Sequence, residues 1–494
     1  MSHHYRQHVI KGYGAPRAIG AGSWPLLSVL AISMAAVVAG CATFHPEPLS
    51  PEKTASAFEA RTLNEPALTT FLKRALGHEV SPWPPAAWDL SMLTLAAYYS
   101  HPDLAVARAG WAVAQAGVKT AGARPNPSVS IAPQHVMGLT DGLSPWVFGP
   151  TFDLPIETAG KRGYRIARAR YLSEAARLNL AAVAWQVRSR VRARLVDLYA
   201  ATQEAAILKT QEADEEQYAA FLEERLVTEE VSPSTVTQAQ IARDRTLFSL
   251  RQADQRVADT RAQLADALGL PAHALSDANI SFAFLNEPPP PLSTEDLRHQ
   301  ALLSRADLLG ALAEYAASQA ALQLEVAKQY PDLHLGPGYS WDQGTEKWSL
   351  GISVSLPVLD RNQGPIAEAV ARRTEAAARF TALQAKILGD VDRALGGYHA
   401  ALAAFETAGA LSAAQTVQYH VSERMLTTGE VAPPALLGAR AELNAAALSR
   451  LHALVQLQQS LGGLEDTVQR PLDSAAMDVV PLDPQNADQR RGGR

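Results

Sequence analysis

His420 and Glu423 stand three residues apart, a spacing that puts an imidazole and a carboxylate on one face of a helix. Such a pair can touch a metal ion, but a lone pair is more commonly a solvated contact. The 13 histidines are otherwise scattered, and a single cysteine excludes both a CxxC site and an internal disulfide framework. The patterns GxSxG, HExxH and GxxxxGK[ST] are absent, so nothing supports a hydrolase, a zinc protease or a nucleotide-driven motor. The chain therefore reads as a non-enzyme with no cofactor and no metal site, and any energy it uses must come from a partner. A formal net charge of −6 gives no footing for a nucleic-acid partner. Acids do gather at Glu215, Glu216, Glu223, Glu224, Glu229 and Glu230, with Glu430 in a related context. Most of these belong to an ordinary solvated helix. In a trimer each acid would become a ring of carboxylates, and such rings favour cations; Glu229, Glu230 and Glu430 are kept as a candidate acidic gate because they sit at the turns, where a mouth would lie.

The one cysteine, Cys41, has a second chemistry. Arg6, Lys11 and Arg17 precede an apolar run from Trp24 to Ala39, which ends in Val38-Ala39-Gly40-Cys41. This resembles a bacterial lipoprotein signal, in which the cysteine is lipidated and becomes the new N-terminus. Residues 1–40 would then be removed, and Ala42 in place of aspartate favours the outer membrane.

The elements that position these residues come twice. "TEEVSPSTVTQAQ" (228–240) is answered by "TGEVAPPALLGAR" (428–440), "HPDLAVA" (101–107) by "RADLLGA" (305–311), and Leu154-Pro155 by Leu356-Pro357. Each repeat, 88–270 and 295–468, carries a helix, a strand pair, a long helix and a returning helix. An N-terminal extended segment (41–87), a proline-rich linker (271–294) and a disordered tail (469–494) complete the chain. The long helices, 158–228 and 362–428, span ~100 Å each at 1.5 Å per residue. The helices 88–123 with 234–268, and 295–329 with 434–467, sum to nearly the same lengths, so two shorter helices stacked end to end match one long one. The strand pairs lie at 127–155 and 332–356. In "KWSLGISVSLP" (347–357) apolar and small or polar residues alternate strictly, the pattern of a strand with two unlike faces. Strands of about ten residues suit a tilted membrane-spanning β-strand. Trp146, Trp341 and Trp348 fall near the hairpin tips, where an aromatic girdle meets the membrane surface. Two hairpins cannot stand alone in lipid, because their edges would be unsatisfied. Three copies would supply 12 strands.

With these features in place, the chain resembles the TolC-type outer-membrane factors, and "LGPGYSWDQGTEKWSLGISVSLPVLDRNQGPIAEAVARR" (335–373) is similar to the lipidated, CzcC-like branch paired with heavy-metal pumps. The resemblance implies a mostly α fold with membrane β: a trimeric 12-stranded outer-membrane β-barrel continued by a 12-helix periplasmic α-barrel, with two structural repeats per chain. It implies a homotrimer set in outer-membrane lipid, a periplasmic adaptor (membrane fusion) protein and an inner-membrane RND transporter as partners. It also implies a duct exporting substrate, heavy-metal cations on the CzcC-like reading and drugs or secreted protein on the alternative. A pore-free periplasmic coiled-coil scaffold is the competing class. The family's tip pattern, a helix reversal on glycine, fits Gly429-Glu430-Val431-Ala432-Pro433. The first tip, Glu229-Glu230-Val231-Ser232-Pro233, departs from it by placing glutamate where glycine would take a positive φ. The two tips are the expected adaptor-docking sites.

Overall fold

The structure, a computed structural model, describes residues 43–138, 143–286 and 294–472. Cys41, and with it the expected lipidation, lies outside the described residues, as do 287–293 of the linker and 473–494 of the tail.

The described chain divides into two units at Ala57. In the first, residues 43–50 lack regular secondary structure, and Pro51 then opens helix α1 (Pro51–Glu59), which buries none of its side chains. The second unit holds all the remaining elements. Its first is α2 (Pro66–Leu76), which starts on a proline and stops on Gly77 at φ 77. Within the second unit, the part of the N-terminal segment from 58 to 87 packs on the core through Leu63, Leu68 and Leu72, which are buried.

Repeat one runs α3 (Leu90–Ser100), α4 (Pro102–Ala121), β1 (Ser128–Ile131), β2 (Gln134–His135), β3 (Trp146–Phe148), β4 (Pro150–Ile156), α5 (Lys161–Val227) and α6 (Pro233–Leu268). Repeat two runs α7 (Thr294–Ser304), α8 (Ala306–Ala327), β5 (Leu333–Asp342), β6 (Thr345–Val354), α9 (Gln363–Thr427) and α10 (Pro433–Val468). Helices α5 and α9 have 67 and 65 residues, ~100 Å each.

The helices expected over 88–123 and 295–329 are each broken once. At His101 the backbone is extended, because the residue before Pro102 is sterically driven out of the helical region. Arg305 is extended at the corresponding point with no proline behind it. There the break is held from outside: Arg305 Nη1 donates to the Thr467 carbonyl at 2.8 Å, and the Ala306 amide donates to Gln469 Oε1 at 2.9 Å. The shorter helices do meet end to end. Ser100 Oγ donates to the Leu268 carbonyl and Ser304 Oγ to the Val468 carbonyl, so the end of α6 abuts the start of α4 and the end of α10 the start of α8. Gly269 is required at the first junction. Its φ is +73, and a Cβ there would lie 2.8 Å from His101 Cα.

Apolar side chains gather at these two junctions. Leu93, Leu180, Leu195, Leu264 and Leu268 centre one cluster, and Leu308, Ile387, Val391, Leu461 and Leu464 the other. The stretch after α6 is not wholly a linker either: Leu270, Leu275 and Leu285 are buried.

The six strand segments trace four antiparallel passes. β1 pairs with β4 and β2 with β3, so 128–135 lies beside 146–156. Both β3 and β4 then pair with β5, and β5 with β6. The second pass breaks at Gly149, where a Cβ would sit 1.9 Å from the Tyr339 carbonyl oxygen. The second hairpin closes on two residues, Gln343 and Gly344, both at positive φ, and not on the five-residue loop 342–346. Positive φ at both central positions gives a turn whose twist matches the strands.

Candidate functional site

Two regions stand out, the sheet and the helix reversals at the far ends of α5 and α9. In the sheet, register sorts the side chains by polarity. Thr345, Lys347, Ser349 and Ser353 lie opposite Asp342, Ser340, Gly338 and His334. The same face continues through Thr151 and Asp153 to Ser130 and Ser128. The other face carries Trp348, Leu350, Ile352 and Val354 opposite Tyr339, Pro337, Leu335 and Leu333, and continues through Leu154 and Phe152 to Val129. Among the described residues nothing covers that apolar face: Trp348 is 81% exposed and Ile352 67%. A soluble sheet would bury one face.

Trp146, Trp341 and Trp348 all lie on the apolar face, near the hairpin end. Trp348 packs on Tyr339 with ring centroids 4.9 Å apart, Trp341 on Phe148 at 5.6 Å, and Trp146 edge-on to His135 at 4.9 Å. The opposite end of the sheet is pinned to the helices. Lys161 Nζ reaches Asp332 Oδ1 at 2.8 Å and the Tyr330 carbonyl at 2.7 Å, and the Thr158 amide donates to the same carboxylate.

The tips are near copies. At the first, the Glu229 amide donates to the Leu226 carbonyl and the Glu230 amide to Arg225. At the second, Gly429 donates to Leu426 and Glu430 to Met425. This pair of bonds, closed by a left-handed residue, is the Schellman motif. Glu229 therefore adopts φ 59 where Gly429 adopts φ 75, so the departure in sequence leaves the turn unchanged and strained at one residue. Pro233 and Pro433 each begin the returning helix, where no backbone amide is missed. Ser232 caps the first through the Thr235 amide, whereas Ala432 has no side-chain cap to offer. Val231 and Val431 are half-buried in the turns. The three gate candidates are exposed. The Glu230 carboxylate pairs with Arg225 at 3.5 Å, and Glu430 accepts from Thr428 Oγ1 at 3.0 Å.

Other charged contacts were invisible to motif reading because their partners are far apart in sequence. Glu465 on α10 is 1% exposed and takes Arg188 Nη1 of α5 at 2.9 Å, with Arg192 Nε at 3.5 Å. Arg192 also holds the carbonyl and the side chain of Gln458. Next to them Asp466 accepts from Trp185 Nε1 and Ser189 Oγ. Burial pushes its carboxyl above the usual range despite those bonds. Closer to the tips, Asp214 of α5 lies 2.7 Å from Arg440 of α10 as an ion pair. Burial raises the Asp214 carboxyl, and Arg440 offsets part of the rise. In the sheet, His334 Nδ1 stands 3.0 Å from Asp153 Oδ1. The His420–Glu423 pair does form, at 3.2 Å on an exposed helix face. Among the described residues no group of three or more His, Cys, Asp or Glu is placed to hold a metal ion, and no helix is long and apolar enough to cross a membrane.

A sheet with one lipid-like face, joined to paired ~100 Å helices, defines an outer-membrane protein with a periplasmic helical part. The chain belongs to the outer membrane efflux protein family, whose pattern matches residues 96–270 and 297–467, one stretch in each repeat. It is a TolC-type protein of a non-enzymatic transport family. Over 235 residues it is 28% identical to the cobalt-zinc-cadmium resistance protein CzcC of Cupriavidus metallidurans, covering 47% of this chain and 54% of that protein. The chain thus spans about half the length of that curated relative. In fold it is similar to CusC, with a TM-score of 0.62 at 18% identity over 79% of this chain and 95% of that one. It is likewise similar to the Campylobacter jejuni CmeC outer membrane channel, with a TM-score of 0.64 at 15% identity over 82% and 88%.

Proposed function

We propose that three copies of this chain form a passive outer-membrane duct of a tripartite, RND-type efflux system. Their 12 strand passes close a β-barrel with the apolar face in lipid and the polar face on the lumen, and α5, α9 and the end-to-end pairs α4/α6 and α8/α10, each pair counting as one, line up as a 12-helix periplasmic α-barrel. The observation that carries this reading is the sheet itself: one face predominantly apolar along its length, the other predominantly small and polar, and an outer strand, β6, exposed along its whole length. Unpaired strand edges are not tolerated in lipid, and pairing with the next copy's sheet satisfies them. An adaptor docks at 230–233 and 430–433, one long helix away from the membrane, and hands over cargo from an inner-membrane pump. Heavy-metal cations are the cargo class supported by the CzcC likeness. Glu229, Glu230 and Glu430 form the acidic mouth, and Cys41 carries the lipid anchor.

The test is ion conductance of the purified protein in a planar bilayer, with oligomeric mass measured in detergent. A conducting trimer is expected, and a monomer or a silent bilayer refutes the duct. Intact mass should place lipid on Cys41 at the mature N-terminus. A longer chain with a free Cys41 thiol removes the anchor but not the duct.

A further inference from the structure

His334 and Asp153 meet across the β4–β5 ladder, on the polar face and close to the end pinned to the helices. Nδ1 of the imidazole lies 3.0 and 3.2 Å from the two carboxylate oxygens. The ladder fixes the pair: Pro155 is the direct partner of His334 on one side and Ser353 on the other, and Asp153 stands opposite Ser128. Both side chains are open to their surroundings, at 42% and 47% exposure. A neutral imidazole held this way donates its Nδ1 proton to the carboxylate, which leaves the Nε2 lone pair free. Histidines that ligate metals are oriented by this same arrangement, the carboxylate fixing the tautomer and raising ligand basicity. His420 makes a like Nδ1 contact to Glu423 at 3.2 Å, but that pair lies one turn apart on the exposed face of a single helix and away from the sheet, where no strand ladder sets its register. His135, in the same sheet, lies on the apolar face against Trp146.

We propose that His334, oriented by Asp153, is a weak, single-ligand contact for borderline divalent cations such as zinc on the lumen wall. A trimer has three of them. The inference rests on the duct reading and deepens it. One imidazole with water filling the remaining positions exchanges quickly, which suits a transit contact and does not trap cargo. Imidazole selects zinc-like ions over magnesium, whose preference is for oxygen ligands.

The test uses the purified full-length protein in detergent and diethylpyrocarbonate, which modifies neutral imidazoles, read residue by residue by peptide mass. Zinc chloride should slow modification of His334 several-fold, magnesium chloride should not, and His135 should be unaffected by either. Asp153→Ala should raise the half-protecting zinc concentration by about tenfold, the lower end of the effect of removing an orienting carboxylate. In a planar bilayer, zinc should reversibly lower wild-type conductance and leave His334→Ala and His334→Gln unchanged. Absence of protection, or equal protection of His135, overturns the proposal. Protection together with a zinc-indifferent conductance also overturns it, because the contact then lies off the ion path. A protein that never conducts refutes the duct reading itself, which separates the two failures.

Discussion

Glu465→Ala is the perturbation whose size the structure defines best. The side chain is 1% exposed and accepts from Arg188 at 2.9 Å and from the Leu472 amide at 3.0 Å, with Arg192 at 3.5 Å. Its removal leaves two guanidinium groups buried between the repeats without the carboxylate that balances them. Breaking a buried ion pair by deleting one partner costs about 3–5 kcal/mol. Arg192 keeps its two bonds to Gln458, and Asp466 lies close enough to Arg188 to interact with it, so the lower end, about 3 kcal/mol, applies here. At about 2 cal/mol/K of unfolding entropy per residue, a chain of this size should lose about 3 °C in Tm. The assay is thermal unfolding in detergent followed by helical circular dichroism. Replacing all three charges together, as Arg188→Met, Arg192→Met and Glu465→Leu, should come out near neutral, because the desolvation of the ions vanishes along with their attraction. A Glu465→Ala loss under about 0.5 kcal/mol, or a triple variant as damaged as the single one, would show that water screens the site and refute the reasoning.

Three further outcomes follow from the geometry. Glu229→Gly should relieve the left-handed strain at the first tip and stabilise the turn by about 1 kcal/mol; hydrogen exchange at the Glu230 amide should slow several-fold, and unchanged exchange would show the turn is unstrained. Ile352→Arg should destabilise the membrane-inserted state by about 2–4 kcal/mol near the midplane, whereas Ser353→Arg should assemble and change conductance; the reverse result would invert the sheet. Burial alone would raise the Asp307 carboxyl, but hydrogen bonds and charge from Arg305, together with backbone amide donors, outweigh it and hold the carboxyl below the usual range. A depressed folded value contributes stability in full above the ordinary carboxylate pKa of about 4 and loses it as pH falls through the folded value. Thermal scans from neutral to acid pH should therefore show a smaller acid loss in Asp307→Asn than in wild type.

What the chain discloses by itself is whatever depends on neighbouring residues. Period-two alternation over 347–357 sorts the strand's two faces, and register bears this out. Uninterrupted helix formers between prolines set the ends of α5 and α9 to within a few residues, and Gly429 with Pro433 marks a reversal. Tertiary structure decided what depends on contact between distant segments. The helix break at Arg305 has no local breaker and exists because the end of α10 arrives to take its hydrogen bonds. Glu229 is held left-handed by the two helices that its turn joins, against its own preference. The join between the second and third strand passes needs Gly149 to admit the backbone of Tyr339, almost two hundred residues away. Arg188, Arg192 and Glu465 read in sequence as ordinary surface charges, as His334 and Asp153 read as isolated polar residues. Only packing α5 against α10, and β4 against β5, brings each set together, because a side chain's partner is set by which faces are buried and in what register, and no short stretch of sequence carries that information.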